Sequence, residues 1–464
     1  MVLQRGSRTT VWGRSSKIGD FVRVLLNDSV VAHGYVDNNN IWQMSFTPPN
    51  NEGPYDITAF SSLGYVTIKD VWFGDVWVCS GQSNMEFMVR GLINATEEYK
   101  DTVNYPNVRL FKVANVVSGT PLEDFTQVSQ VWDKPSEATI KYFSAVCWLY
   151  GKYLSQHLNR PIGLVETNWG GTPIESWSSS DALQKCSNVS TQGQRADVNP
   201  FTHSALFNSM VYPLLRNTIY GVIWYQGEAN AGKPAQYACQ FPAMINDWRM
   251  KFHQLSSNTT YANFPFGFVQ LAPWLQDPNN RLFADLRWSQ TAQIGFVPNY
   301  KMKNTFMAVA MDLPDFTSPA GSIHPRYKHD IARRLMLSSM AVAYHQTGFD
   351  YQRPFPTSYK LDQTHSHIVI EFDHGSTPIE VRVTAGFEIC CTTGRHICKE
   401  IDSGWKNATM TSHSTTSVTL DAHNCTIGGV RYAWRESPCA LRKCAVYSRD
   451  SNLPAPPFKR EAFL

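Results

Sequence analysis

Five short apolar runs recur through the middle of the chain, at residues 71–79, 161–165, 221–225, 266–271 and 306–311. Stretches with apolar residues at helical spacing lie between and after them, at 144–158, 235–253 and 325–344, the last two starting with Pro near the first turn. A short run that is apolar throughout reads as a strand buried on both faces, the habit of parallel sheets. Strands of that kind alternating with helices predict a layered α/β fold over residues 70–346. The flanks read differently. Residues 1–69 and 347–464 carry short alternating segments broken by turn clusters such as Asn38-Asn39-Asn40 and Pro48-Pro49-Asn50-Asn51, which predict a β module on each side.

Composition narrows the class. With 464 residues, 43% apolar and 17% charged, the chain is globular and long enough for two or three domains. A net charge of +3 argues against a nucleic-acid or membrane-surface role driven by bulk charge. No apolar run reaches the roughly 18 residues of a membrane span. The 14 Trp, 20 Tyr and 25 Phe suit a large core and also an aromatic-lined cleft. Of the 10 cysteines, Cys390, Cys391, Cys398, Cys425, Cys439 and Cys444 crowd near the C-terminus without a C-x-x-C pair. That pattern predicts a disulfide framework, with Cys390 and Cys391 sending their sulfurs to different partners, and hence an oxidising compartment. Sequons at Asn27, Asn94, Asn188, Asn258, Asn407 and Asn424 agree with secretion. The start, Met1-Val2-Leu3-Gln4-Arg5-Gly6, has neither the charged nor the apolar region of a signal peptide, so a secretory leader is expected to be removed or truncated here.

Open α/β sheets bind ligands at the C-terminal ends of their strands. The predicted strand ends carry Ser80-Gly81-Gln82-Ser83-Asn84-Met85, Glu166-Thr167-Asn168-Trp169-Gly170-Gly171-Thr172, Gln226-Gly227-Glu228-Ala229-Asn230, and Asp312-Leu313-Pro314-Asp315 followed by Ile323-His324-Pro325. Taken singly, a serine there is a helix cap, a glycine pair is a turn, and a histidine is a packing residue. Their joint placement supplies a hydroxyl, backbone amides, side-chain amides and an imidazole, the parts of an acyl-transfer site. A serine hydroxyl needs a base, and His324 is the candidate for Ser83. Gly170 and Gly171 let backbone N–H groups approach a developing oxyanion, with Gln226 or Asn230 as a side-chain donor. No His, Asp and Glu cluster has metal-ligand spacing, so neither a metal nor another cofactor is expected.

These blocks, with Phe73-Gly74-Asp75-Val76-Trp77, Trp224-Tyr225, the Cys390-Cys391 pair and Leu453-Pro454-Ala455-Pro456-Pro457-Phe458, resemble those of the sialate O-acetylesterases, a branch of the SGNH hydrolases. The resemblance extends over nearly the whole chain. It implies an SGNH-type three-layer α/β/α sandwich with a parallel sheet, flanked by an N-terminal β module (1–69) and a C-terminal Cys-rich β module (347–464). It implies removal of O-acetyl groups, chiefly 9-O-acetyl, from sialic acids and sialoglycans in lysosomes or after secretion. Ser83 would be the nucleophile and His324 the base. The Ser83 amide, a glycine of the 170–171 pair and an amide of the Gln226 block would hold the oxyanion. Met1 would correspond to an internal methionine of longer chains. The chain departs from the wider superfamily ahead of His324, where the usual Asp is replaced by Gly321-Ser322. The acid is then Asp312 or Asp315, or a Ser–His dyad operates. Two further readings stay open: an acetylesterase acting on another sugar such as acetylated xylan, and a carbohydrate-binding protein with a silent core. Arg90, Arg195 and Arg287 are candidate partners for a sialate carboxylate.

Overall fold

The computed structural model describes all residues except 187–196, 278–279, 352–353, 365, 392–397, 399–403, 423–424 and 464. Arg195 and the sequons at Asn188 and Asn424 lie outside the described residues. The chain forms two compact units, Met1–Trp224 with Ala243–Phe266, and Tyr225–Pro242 with Gly267–Leu464.

In the first unit the N-terminal β strands and the α/β layer share one strand. Gly64–Gly81 runs for 18 residues. Its first part pairs antiparallel with Tyr55–Ser61, and its last part pairs parallel with Ile162–Asn168, from Ile162 opposite Asp75 to Asn168 opposite Gly81. The expected edge of the β module at residue 70 falls inside this strand, at Asp70, whose φ of 54° turns the chain. Asp70 is held there by Arg109 at 3.0 Å and by the Trp72 indole N–H at 2.8 Å. Beyond it the strand is almost wholly buried, as the apolar run predicts. Strand Val108–Val113 pairs parallel with Ile162–Asn168, and Val128–Asp133 adds an antiparallel edge, which makes the sheet mixed. Gly221–Tyr225 lies on the other side of the long strand. Close packing explains a glycine of the Phe73-Gly74-Asp75 motif: a Cβ on Gly74 would sit 2.1 Å from the Pro161 carbonyl oxygen. Helix Ala145–Leu158 packs on Ile162–Asn168 and is capped by the Ser144 side chain, which accepts the Cys147 N–H. A disulfide between Cys79 and Cys147 ties that helix to the strand just ahead of Ser83.

In the second unit strands Phe266–Gln270 and Thr305–Val309 are neighbours, and helix Lys328–Val342 packs on the latter. The predicted helix starting at Pro325 thus begins at Lys328, because Pro325 belongs to the loop that presents His324. Helix Pro234–Leu255 does start at its proline. After residue 356 the strands are antiparallel, among them Pro356–Leu361, His367–Phe372, Ser417–Asp421 and Thr409–His413 in one sheet, and Trp405–Asn407, Phe387–Cys391, Ile427–Tyr432 and Phe458–Arg460 in another. The six clustered cysteines pair among themselves as Cys390–Cys398, Cys391–Cys425 and Cys439–Cys444. Successive residues of a strand face opposite sides, so the neighbours Cys390 and Cys391 reach different partners, as expected. All ten cysteines are disulfide-bonded. Among the described residues no helix is long and apolar enough to cross a membrane.

Candidate active site

Ser83 opens a single helical turn, Ser83–Glu86, directly after the long strand. The chain leaves the strand through Gly81 at φ 141°, a conformation that L side chains rarely adopt. The Gln82 carbonyl then accepts the N–H groups of Met85 and Glu86, both at 2.9 Å. Ser83 itself is half-buried.

The glycine block arrives beside it. The Trp169 N–H donates to the Gly81 carbonyl at 3.1 Å, and Thr172 Oγ1 donates back to the Trp169 carbonyl at 2.7 Å. A Cβ built on Gly170 would lie 3.4 Å from Ser83 Cβ, so the structure does bring these two predicted residues together. The Gly170 amide, expected to face an oxyanion, donates to Glu86 Oε2 at 2.7 Å. Gly171, exposed and at φ 76°, has no such acceptor among the described residues. Beneath the block Glu166 is fully buried, receiving the Ser144 N–H at 2.7 Å and Lys112 Nζ at 3.0 Å. Burial raises its pKa, and these bonds oppose the rise.

His324, in the second unit, sits in a loop that organises itself. Its Nδ1 is 2.7 Å from the Ala320 carbonyl oxygen, its own N–H donates to the Gly321 carbonyl at 2.9 Å, and Ser318 Oγ donates to the His324 carbonyl at 2.7 Å. A carbonyl oxygen only accepts, so the contact keeps the proton on Nδ1 and the lone pair on Nε2.

Both candidate acids bond to other groups. Asp312 is wholly buried, and its carboxylate accepts from Arg334 at 2.6 and 2.9 Å and from the Tyr447 hydroxyl at 2.9 Å. Asp315 accepts from Arg326 three times, from Nε at 2.7 Å, Nη2 at 2.8 Å and the backbone N–H at 3.0 Å. Burial works to raise the Asp315 pKa, but the Arg326 bonds outweigh it and hold the carboxyl below the usual range. Both carboxylates are occupied by arginines because a desolvated charge requires an opposite charge and donors around it. Asp315 thereby fastens the two ends of the His324 loop.

Gln226 is wholly buried, and its amide donates to Asn230 Oδ1 at 2.7 Å, across the Gly227–Asn230 turn. Close to it Lys328 lies buried over the Tyr225 ring at 5.1 Å, its pKa pulled down to about 7 by burial against the pull of Glu228 and Asp315. Arg287 is excluded as a carboxylate partner, being fully buried with its guanidinium donating to the carbonyls of Leu271, Arg435 and Glu436. Arg90 is exposed over the Tyr142 ring. A cavity of about 610 Å3 opens elsewhere in the first unit, among Leu3, Trp12, Trp42, Ile57 and Val66, and holds none of the residues above.

Sequence reasoning missed two groups. The Ala320 carbonyl carries no side-chain signal. Glu86 did carry one, since a residue three positions after Ser83 on a helical turn shares its face.

Residues 73–324 match the family described as carbohydrate esterase, sialic acid-specific acetylesterase, and residues 357–462 match the sialate O-acetylesterase C-terminal domain. The sialate O-acetylesterase of Mus musculus is 41% identical over 460 residues, 90% of this chain and 84% of the relative. That of Homo sapiens is 40% identical over 485 residues, 99% of this chain and 90% of the relative. In structure the chain is similar to a carbohydrate acetylesterase from Xanthomonas citri, with a TM-score of 0.82 at 28% identity, covering 100% of this chain and 97% of that one. The chain belongs to the sialic acid-specific acetylesterase family of carbohydrate esterases.

Proposed function

We propose that the protein removes O-acetyl groups, chiefly the 9-O-acetyl group, from sialic acids and sialoglycans through an acetyl-Ser83 intermediate. The observation that carries this reading is the His324 imidazole held by the Ala320 carbonyl, which leaves Nε2 as the proton acceptor. Ser83 Oγ attacks the acetyl carbonyl carbon as Nε2 takes its proton. The tetrahedral intermediate expels the sugar oxygen, which recovers that proton. Water, deprotonated by the same nitrogen, then releases acetate and restores Ser83. The Ser83 and Gly171 amides and the Asn230 side chain are the oxyanion donors, each worth about 10²–10³ in rate. His324 and Ser83 act as a dyad, with the carbonyl as orienter and Asp315 holding the loop through Arg326.

The disulfides and the exposed sequons Asn27, Asn94, Asn258 and Asn407 support work in an oxidising setting, secreted or lysosomal. The test is hydrolysis of an aryl acetate and of 9-O-acetylated sialic acid with a chelator present, alongside mass-spectrometric mapping of an organophosphate adduct. Ser83 should carry the adduct, and His324→Ala should lose about 10²–10⁴ in kcat. Full activity in Ser83→Ala would overturn the mechanism, and faster turnover of an acetylated neutral sugar would overturn the substrate class.

A further inference from the structure

Two glycines sit in tandem beside the nucleophile, yet they are not equivalent. The Gly170 N–H points at Glu86 Oε2 at 2.7 Å, a charge-assisted bond that is among the stronger kinds in proteins. The carboxylate lies so close that a Cβ on Gly170 would come within 2.8 Å of the same oxygen. Glu86 itself belongs to the Ser83 turn, through its N–H to the Gln82 carbonyl at 2.9 Å. The bond therefore spans two chain segments that are 84 positions apart in sequence, the nucleophile turn and the glycine block. With Trp169 bonded to Gly81 and Thr172 closing on Trp169, the turn is fastened on both sides of Gly171. Gly171 takes the left-handed φ of 76° and is exposed.

We propose that Glu86 is a positioning residue for the esterase reaction: by engaging the Gly170 amide it fixes the glycine block against Ser83 and makes Gly171 the block's oxyanion donor. The inference rests on Ser83 being the nucleophile. A carboxylate beside an oxyanion site repels the charge that develops there, so its presence makes sense only if holding the block is worth more than that repulsion. The hydrogen bond, not the charge, is then the useful part, and a neutral acceptor of the same shape should serve.

The experiment compares Glu86→Gln, which keeps an acceptor and removes the charge, with Glu86→Met, which keeps the length and removes the acceptor. A donor displaced by about 1 Å costs about 10²-fold, so Glu86→Met should lower kcat by about 10–10² with KM within about twofold. Glu86→Gln should recover most of that loss. Equal losses in both variants, or wild-type kcat in Glu86→Met, would overturn the inference. Ser83→Ala, run alongside, separates the two failures. If it is inactive while Glu86→Met is unaffected, only the positioning role falls. If it is active, the nucleophile assignment falls first.

Discussion

Replacing Asp312 by Ala distinguishes a triad acid from a structural anchor. The carboxylate is wholly buried and holds Arg334, itself only 5% exposed, through two bonds, with a third from the Tyr447 hydroxyl. Removing it strands the guanidinium, and breaking a buried pair costs about 3–5 kcal/mol. The Tyr447 hydroxyl left without its acceptor adds about 1 kcal/mol or more. Arg334 keeps the Val309 carbonyl at 2.6 Å, which offsets part of this, so a net loss of about 4 kcal/mol is expected. For a unit of this size each kcal/mol moves the thermal midpoint by about 2–4 °C, giving a fall of about 8–16 °C. Measured well below that lowered midpoint, kcat on an aryl acetate should stay within about tenfold of wild type. A triad acid behaves the other way, since its loss leaves the fold intact and lowers kcat by about 10⁴. An unchanged midpoint with kcat down by about 10³ or more would refute the structural assignment.

The Asp315–Arg326 clamp predicts a pH signature. Because the folded pKa of Asp315 lies below its usual value, the clamp's contribution is complete above about pH 4 and is lost as pH falls through the folded value. Asp315→Asn should lower the midpoint at neutral pH and flatten its acid-side slope, and identical melting profiles from pH 2.5 to 7 would count against it. The Cys79–Cys147 link closes a segment with a sequence separation of 68, for which chain entropy gives about 4 kcal/mol. The Cys79→Ala, Cys147→Ala double variant should show that loss in thermal denaturation, whereas a change below about 1 kcal/mol would deny the link its role.

The elements were legible in the sequence because their causes are local. Gly221–Tyr225 is an unbroken apolar run bounded by a turn, and a strand there follows from five consecutive residues. Helix Ala145–Leu158 follows equally from the spacing of its apolar residues. The candidate site residues were chosen at strand ends because ligands of such sheets bind there. Which of them are committed elsewhere was a matter of tertiary structure. Asp312 accepts from Tyr447, 135 positions away, a partner its local sequence does not announce. Gly170 looked like its neighbour until Glu86 took its amide. The sequence by itself determined where strands and helices occur and which polar side chains follow the strands, since apolar periodicity acts over a few residues. Only the packed chain decided hydrogen-bond partners, because a buried polar group bonds to whatever the fold delivers within about 3 Å, and sequence distance has no bearing on that.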